Sequence, residues 1–517
     1  MASLSPTSEL HILHQSHSQP RKLKIIHVGA GASGLLAAYK AERMLVNYEL
    51  ICYDKFARKY DLEKYVQLRT RVLGAVWNAD KGKWILELDK DGNRIFDSCD
   101  VLLNGSGVVN KPKCVAAHSA TWDPEISWTG KRVALIGAGS SSVQMLPYLA
   151  EGAYSFILCQ DSKSVHVFAR TPTWIVPPLG TDITKTNNEG ISSSPLPKHQ
   201  YDEAERQRFR MDPAYFLSYR KSLEATLASN FPFFLRDSPL SQWASAALRE
   251  NMLQKLGPGN KEMKEKLIPS WSPGCRRLTP GENYLETMIE DHVHPVFEGV
   301  ARFTPTGLVT AGGKEFEFDL IACATGFYVS YIPHFEITGV DGVTMRNEWS
   351  ENPNIYLGIS GPKFPNYFVI NGPTGNWGQG CVLPSHEVQI EYALQCCKKF
   401  QDEDIKALEV KQLPTTEWNQ HLDNWHAKYS VWAENCNSWY KANKPNGRVY
   451  IWPGSMLHLL KTMKTPRFED FDITYHYNRW TFLGNGRTRL EELSEEGVDV
   501  DLAPFIRDTD KPWTVDP

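Results

Sequence analysis

The stretch that decides the fold runs Lys24-Ile25-Ile26-His27-Val28-Gly29-Ala30-Gly31-Ala32-Ser33-Gly34 and continues as Leu35-Leu36-Ala37-Ala38-Tyr39-Lys40-Ala41. The first apolar run predicts a buried strand, the three glycines a tight turn, and the second apolar run a helix packed on the sheet. In that order, backbone N–H groups at a helix N-terminus meet a pyrophosphate with no Cβ in the way. The pattern recurs about a hundred residues on, as Arg132-Val133-Ala134-Leu135-Ile136 leading into Gly137-Ala138-Gly139-Ser140-Ser141-Ser142. One such stretch is weak evidence, because small residues also end strands for packing reasons alone. Two predict a pair of dinucleotides held face to face, of which a flavin and a nicotinamide are the natural combination.

The residue after each second strand separates the two sites. Tyr48-Glu49-Leu50-Ile51-Cys52-Tyr53 predicts a parallel strand ending at Asp54, 25 positions after Gly29. That is close to the ~20-residue spacing of the acid that binds a ribose hydroxyl. A carboxylate there repels a 2′-phosphate, so Gly29, Gly31, Gly34 and Asp54 predict an FAD site. Behind the second turn, Ser164-Val165-His166-Val167-Phe168 plays the second strand and is followed by Arg170. A guanidinium in that place can pair bidentately with a 2′-phosphate, so Gly137, Gly139, Ser140, Ser141 and Arg170 predict an NADPH site. Gly137 and Arg170 are 33 positions apart, lengthened by the apolar segment 152–160. Surface residues ending strands are the plainer alternative for both Asp54 and Arg170.

These elements predict an α/β fold with two Rossmann-like dinucleotide-binding domains and a helical insertion. The FAD domain is expected over residues 22–128 and, with the C-terminal region, over 320–517. The NADPH domain is expected over 129–319. The insertion, at about 193–268, is rich in charge, Leu, Phe and Ala at helical spacing and reads as a lid over a substrate pocket. The run Phe318-Asp319-Leu320-Ile321-Ala322-Cys323 reads as the strand returning the chain to the FAD domain, and Asn104-Gly105-Ser106-Gly107 as the outward crossing.

At 517 residues, 42% hydrophobic and 22% charged, the chain has the make-up of a large globular protein. A net charge of −4 gives no electrostatic footprint for nucleic acid or an acidic membrane. The ten cysteines are scattered, Cys396-Cys397 is the only close pair, and no CxxC occurs. Reduced thiols in an intracellular compartment are the expectation. Residues 1–24 are polar, without the apolar core of a signal peptide. No run approaches the ~20 apolar residues that span a bilayer. A cytoplasmic protein, monomeric or weakly oligomeric and without nucleic-acid partners, is expected.

Eight segments together resemble one family. They are GAGASG (29–34), HSATWD (118–123), GAGSSS (137–142) with Gln144, RTPTW (170–174), GCRRLTPG (274–281), CATGF (323–327), FPNYFVINGPTGNWGQG (364–380) and CNSWY (436–440). The combination resembles the Baeyer–Villiger monooxygenases, more narrowly those of fungal secondary-metabolite (mycotoxin-type) clusters, from about Lys22 onward. The resemblance implies that NADPH reduces the flavin, O2 reacts with it, and a small apolar ketone becomes an ester or lactone. A polyketide or terpenoid intermediate is the implied substrate. The oxygenating species is anionic and must stay deprotonated, and an arginine suits that task because it cannot lose its proton. Arg277 occupies the matching place in the motif, with Arg276 beside it. Trp439 is implied to pack on the nicotinamide cofactor, and His118 to couple cofactor binding to domain movement. The loop from Gly372 to Gly378 is implied to lie beside the flavin ring. The motifs also place Gln144, Thr171, Trp122, Ala324, Thr325 and Gly326 at the cofactors.

Three departures from the family pattern stand out. Asp54-Lys55 runs straight into Phe56-Ala57-Arg58, where the family carries GGTW-type and NRYPG-type loops. The Phe-x-Gly half of the fingerprint before His118 is missing, and residues 152–160 are extra. Two further readings therefore stay open: a catalytically impaired nucleotide-binding relic of the family, and a flavin N-hydroxylating monooxygenase. HSATWD and GCRRLTPG point away from the latter.

Overall fold

The structure, a computed structural model, describes residues 14–54, 63–108, 112, 117–150, 162–177, 201–329 and 331–515. The altered segments after Lys55, before His118 and at 152–160 lie outside the described residues, as do the first eight residues of the expected insertion.

The first sheet grows from β1 (Leu23–Val28), the glycine turn and α1 (Ala32–Met44). β2 (Tyr48–Tyr53) lies parallel to β1, with Leu23 opposite Tyr48 and Val28 opposite Tyr53, and β3 (Val66–Gln67) lies parallel beyond it. The chain then makes an antiparallel meander, β4 (Thr70–Asn78), β5 (Lys83–Lys90) and β6 (Asn93–Cys99). It returns through β7 (Val101–Asn104) on the other side of β1. The strand Tyr367–Val369 adds to β7, and Glu336–Thr338 adds to β4, so a distant part of the chain completes both sheets. β1 and β7 are almost wholly buried, as parallel strands covered on both faces must be, which is why they read as unbroken apolar runs. The long helix Leu383–Asp402 packs against α1 in the same core.

The second sheet repeats the plan. β8 (Arg132–Ile136) leads through the second glycine turn into α2 (Ser140–Ala150), and β9 (Ser164–Phe168) lies parallel to β8. The strand Val293–Val296 flanks β9, and Leu320–Cys323 flanks β8, both parallel. The two glycine turns thus belong to separate sheets.

One boundary needs correction. The strand Leu320–Cys323 is expected from sequence to open the second FAD segment at residue 320, yet it pairs with β8, with Leu320 opposite Val133 and Cys323 opposite Ile136. It closes the otherwise open edge of β8, and the chain leaves this sheet only beyond Cys323.

The described part of the insertion is helical: α3 (Glu203–Met211), α4 (Pro213–Ser229), α5 (Pro239–Lys255) and α6 (Lys261–Leu267). Their starts are written in the sequence. Asp202, Asp212 and Ser238 cap the first three, and Pro213 and Pro239 occupy first-turn positions where no amide is needed. Met252, Leu256 and Leu267 bury against the core of the second sheet.

The expectation of reduced thiols throughout is also corrected: Cys275 and Cys436 form a disulfide across 161 residues of sequence, with Cα atoms 6.4 Å apart. Packing brings GCRRLTPG onto CNSWY, a proximity that no local spacing announces. Cys52, Cys99, Cys381, Cys396 and Cys397 remain reduced thiols.

Candidate active site

Both glycine turns are built alike. Gly29 has φ +104° and Gly137 φ +130°, in the region that favours glycine. A Cβ on Gly29 would lie 2.8 Å from the Gly105 carbonyl oxygen, and one on Gly137 would lie 2.3 Å from that of Ala324. The first glycine of each turn therefore rests on the backbone just past the strand that flanks β1 or β8, Gly105 after β7 and Ala324 after Leu320–Cys323. The middle glycines, Gly31 and Gly139, face open space, and a methyl on either would meet nothing within 4 Å. That opening is where a phosphate can approach the amides. Gly34 is needed for packing, since its Cβ would strike the Gly29 carbonyl at 2.3 Å. The corresponding Ser142 is buried, with an Oγ that has no partner among the described residues.

Asp54 sits at the mouth of the first turn, where its Oδ2 accepts from the Ala30 amide at 2.5 Å. His27, beneath it, donates from Nδ1 to the Gly29 carbonyl at 2.8 Å, while its Nε2 has no partner among the described residues. Burial pushes the His27 pKa down to about 4, against smaller upward pulls from the Gly29 carbonyl and the Asp54 carboxylate.

At the second turn the chain opens onto a cavity of about 1940 Å³. A single small-ligand site usually occupies ~300–1,000 Å³, so there is room for a dinucleotide and a second molecule. Gly137, Gly139, Ser140, Ser141 and Gln144 form one wall, joined by Arg170 and Thr171. Ala324, Thr325 and Gly326 line it as well, as do Arg276, Arg277 and Trp439. The Ser140 and Thr279 hydroxyls are 2.8 Å apart, and Thr173 donates to the Ala138 carbonyl at 2.6 Å, fixing the turn to its surroundings.

The two adjacent arginines do different things. Arg276 is half-buried and donates to the Pro172 carbonyl at 2.9 Å, and burial lowers its pKa. Arg277 is exposed to the cavity. Its charge acts on the neighbouring Tyr440, whose hydroxyl burial pushes up to about 12 against the downward pull of Arg277.

Not every expected residue reaches this cavity. Gly29, Gly31, Gly34 and Asp54 stay with the first sheet. Gly372 borders a niche of only about 10 Å³ shared with Asn104, Ser106, Gly107 and Tyr331, beside the outward crossing. Trp122 packs on Trp128, ring centres 6.2 Å apart, against the core of the second sheet. His118 is fully buried: its Nδ1 accepts from the Ala120 amide and its Nε2 donates to the Gly326 carbonyl, both at 3.1 Å. Because the Cys323 amide also donates to the Ala117 carbonyl, His118 ties the outward crossing to the returning one.

Sequence reasoning missed four features in or beside the site. Phe233, Phe234 and Trp243 of the insertion line the cavity, where composition alone suggests only a lid. Tyr440 faces Arg277. Lys441 is buried, donates to the carbonyls of Glu434 and Pro445, and is pushed by burial down to about 8. The Cys275–Cys436 bridge was missed too: each cysteine lies inside one of the eight motif segments, but so does Cys323, and nothing in the sequence names the pair.

Two parallel sheets, each ending in a glycine turn, define a two-Rossmann-domain protein. No protein-family model matches the chain. It is 34% identical to the FAD-binding monooxygenase tazF of Aspergillus terreus over 556 aligned residues, covering 94% of this chain and 95% of that protein. It is 32% identical to the FAD-binding monooxygenase stcW of Emericella nidulans, covering 95% and 90%. The first alignment is longer than the chain, so the relative has segments that are absent here. A Baeyer–Villiger monooxygenase of Pseudomonas aeruginosa is 28% identical over 78% of this chain and 72% of its own length. Among solved structures, OTEMO in complex with FAD and NADP superposes with a TM-score of 0.70 at 19% identity, covering 89% of this chain and all of that one. Cyclohexanone monooxygenase from Rhodococcus sp. Phi1 bound to NADP+ gives 0.69 at 18%, covering 88% and 100%. The chain belongs to the FAD-binding monooxygenases, and its fold is that of the Baeyer–Villiger enzymes.

Proposed function

We propose that this enzyme holds FAD at the Gly29–Gly34 turn and NADPH at the Gly137–Ser142 turn. It inserts one atom of O2 beside the carbonyl of an apolar ketone, giving an ester or lactone. The observation that carries the reading is the single cavity on whose walls the second glycine turn, Arg170 and Arg277 meet. The residues fit both groups: each middle glycine leaves an opening that a Cβ would fill, and Asp54 and Arg170 supply opposite charges at the two ribose positions. When bound, FAD reduced by NADPH supplies the oxygen activation.

The chain's own groups do the rest. Asp54 accepts from a ribose hydroxyl, and Arg170, with Thr171 beside it, pairs with a 2′-phosphate. Gln144, Ala324, Thr325 and Gly326 border the nicotinamide nucleotide, and Trp439 packs on its ring. Gly372 and its loop lie on the flavin side. His118 and Trp122 stay out of the chemistry and hold the crossings between the sheets. Arg277 is a fixed cation against negative charge developing at the flavin, and Arg276 sets the course of the segment that presents it. Phe233, Phe234 and Trp243 keep water out and accept a broad apolar ring system. That wall, with relatives in fungi, supports a polyketide or terpenoid ketone of secondary metabolism as substrate.

The purified protein is expected to show the blue absorption band of bound flavin and to oxidise NADPH under air, with ester products identified by mass spectrometry across a ketone panel. The segments present in the first relative and absent here favour one second reading, an impaired nucleotide-binding relic. A colourless protein that leaves NADPH untouched would establish that reading instead.

A further inference from the structure

We infer that the Cys275–Cys436 disulfide is a positioning tie that holds the segment carrying Arg277 against the segment carrying Trp439 and Tyr440. Arg277 follows Cys275 by two residues, and Trp439 follows Cys436 by three. The first segment continues from the helical insertion on the second sheet's side. The other belongs to the C-terminal part that packs with Phe234, Trp432 and Tyr440. The bridge therefore joins the two segments at the cavity, which Gly274, Arg276 and Arg277 line from the one and Asn437, Ser438 and Trp439 from the other.

The insertion and the C-terminal part also meet farther along, where Phe234 stacks on Trp432 with ring centres 5.3 Å apart and Arg236 donates to the carbonyls of Ala427, Tyr429 and Ser430; beside the bridge itself the contacts are fewer. Glu434 accepts from the Ser272 amide at 2.7 Å through its carboxylate, and its carbonyl accepts from Lys441. The Arg277 guanidinium makes no hydrogen bond to a protein group among the described residues, so its place opposite Tyr440 depends on where the two backbones lie. Both cysteines are fully buried, 0% and 1% exposed. A bridge closing a long loop restricts the open conformations most strongly, which suits a tie that sets the local spacing of these two segments.

The redox chemistry is ordinary thiol–disulfide exchange. Each Sγ gives up one proton and one electron as the Sγ–Sγ bond forms, and a disulfide oxidant such as oxidised glutathione takes both electrons and both protons, leaving as two thiols. A dithiol such as dithiothreitol reverses the exchange.

The inference rests on the monooxygenase reading for its product readout only. The full-length protein, its Cys275→Ala and Cys436→Ala variants and the double variant would be compared, and the unmutated protein also after dithiothreitol. A non-reducing digest should yield a Cys275–Cys436 peptide pair. Hydrogen exchange should rise several-fold in both segments, 274–280 and 436–443, whichever cysteine is replaced or when the bridge is reduced. Ester formed per NADPH should fall roughly tenfold or more, since a 1 Å misplacement can cost ~100-fold. The double variant should be no worse than either single one, because one bond is lost in all three. The inference is overturned if both cysteines alkylate in protein unfolded without reductant, if exchange rises only around the replaced cysteine, or if the two single effects add. An unmutated protein that makes no ester defeats the functional reading, and the tie is then decided by the digest and the exchange data.

Discussion

The carboxylate of Asp54 accepts a hydrogen bond from the backbone amide of Ala30 at 2.5 Å, so the end of β2 is fastened to the glycine turn between β1 and α1. One side chain thus shapes the turn, and in the proposed reading it also accepts from a ribose hydroxyl. Replacing Asp54 by Ala should weaken FAD binding by about 1.5–3 kcal/mol, roughly 10- to 150-fold, as expected for a hydrogen bond to a charged group. Flavin retained through gel filtration measures it. Unchanged retention would place the ribose contact elsewhere.

The strands around Asp54 were legible because parallel strands buried on both faces read as continuous apolar runs. β1, β2, β8 and β9 fall where those runs predict. Leu320–Cys323 was legible as a strand but not as a partner of β8, since nothing in four apolar residues names the neighbour. Cys275 and Cys436 pair only because distant segments pack together. Arg276 and Arg277 look alike in sequence, and only the direction of each side chain separates a backbone tie from a charge in the cavity. Phe233 and Phe234 carry no pattern beyond being apolar in a helical stretch.

His27 makes the first turn acid-sensitive. Its neutral form is favoured in the fold, with a pKa near 4 against about 6.5 in an unfolded chain. The unfolded chain therefore binds the proton first, and stability present above pH 6.5 drains away as pH falls toward 4. Across that window the loss from His27 alone is on the order of 3 kcal/mol. His426, buried and also lowered to about 4, adds to it. In His27→Val, denaturant unfolding measured from pH 7 to pH 4 should show a shallower loss. An identical pH slope would exclude His27 as a source.

Gly139 offers a separation of folding from binding. A methyl there meets nothing within 4 Å, and the backbone is not left-handed. Gly139→Ala should keep its melting temperature within the range of a surface change, about ±0.5 kcal/mol. It should nevertheless lose NADPH affinity, because the methyl occupies the phosphate's approach. Calorimetric titration with NADP+ reads the second effect, and full affinity would show that the phosphate lies elsewhere.

Arg170 should set the preference for NADPH over NADH. Removing a charge-assisted phosphate contact costs about 1.5–3 kcal/mol, roughly 10- to 150-fold in affinity. Arg170→Ala should therefore bind NADPH that much more weakly while binding NADH as before. An undiminished preference in steady-state kinetics with both nucleotides would remove Arg170 from the site.

The most direct measurement compares ester formed with NADPH consumed in the Arg277→Ala protein. Hydride transfer to the flavin asks only modest charge stabilisation, so anaerobic flavin reduction by NADPH should persist. Oxygen transfer to a ketone needs the fixed cation, and losing one such group costs on the order of 3–4 kcal/mol, a few hundred-fold in rate. The account predicts NADPH oxidation with hydrogen peroxide released and almost no ester. Full ester yield per NADPH in Arg277→Ala would contradict it and move the catalytic cation away from Arg277, with Arg276 the first to test.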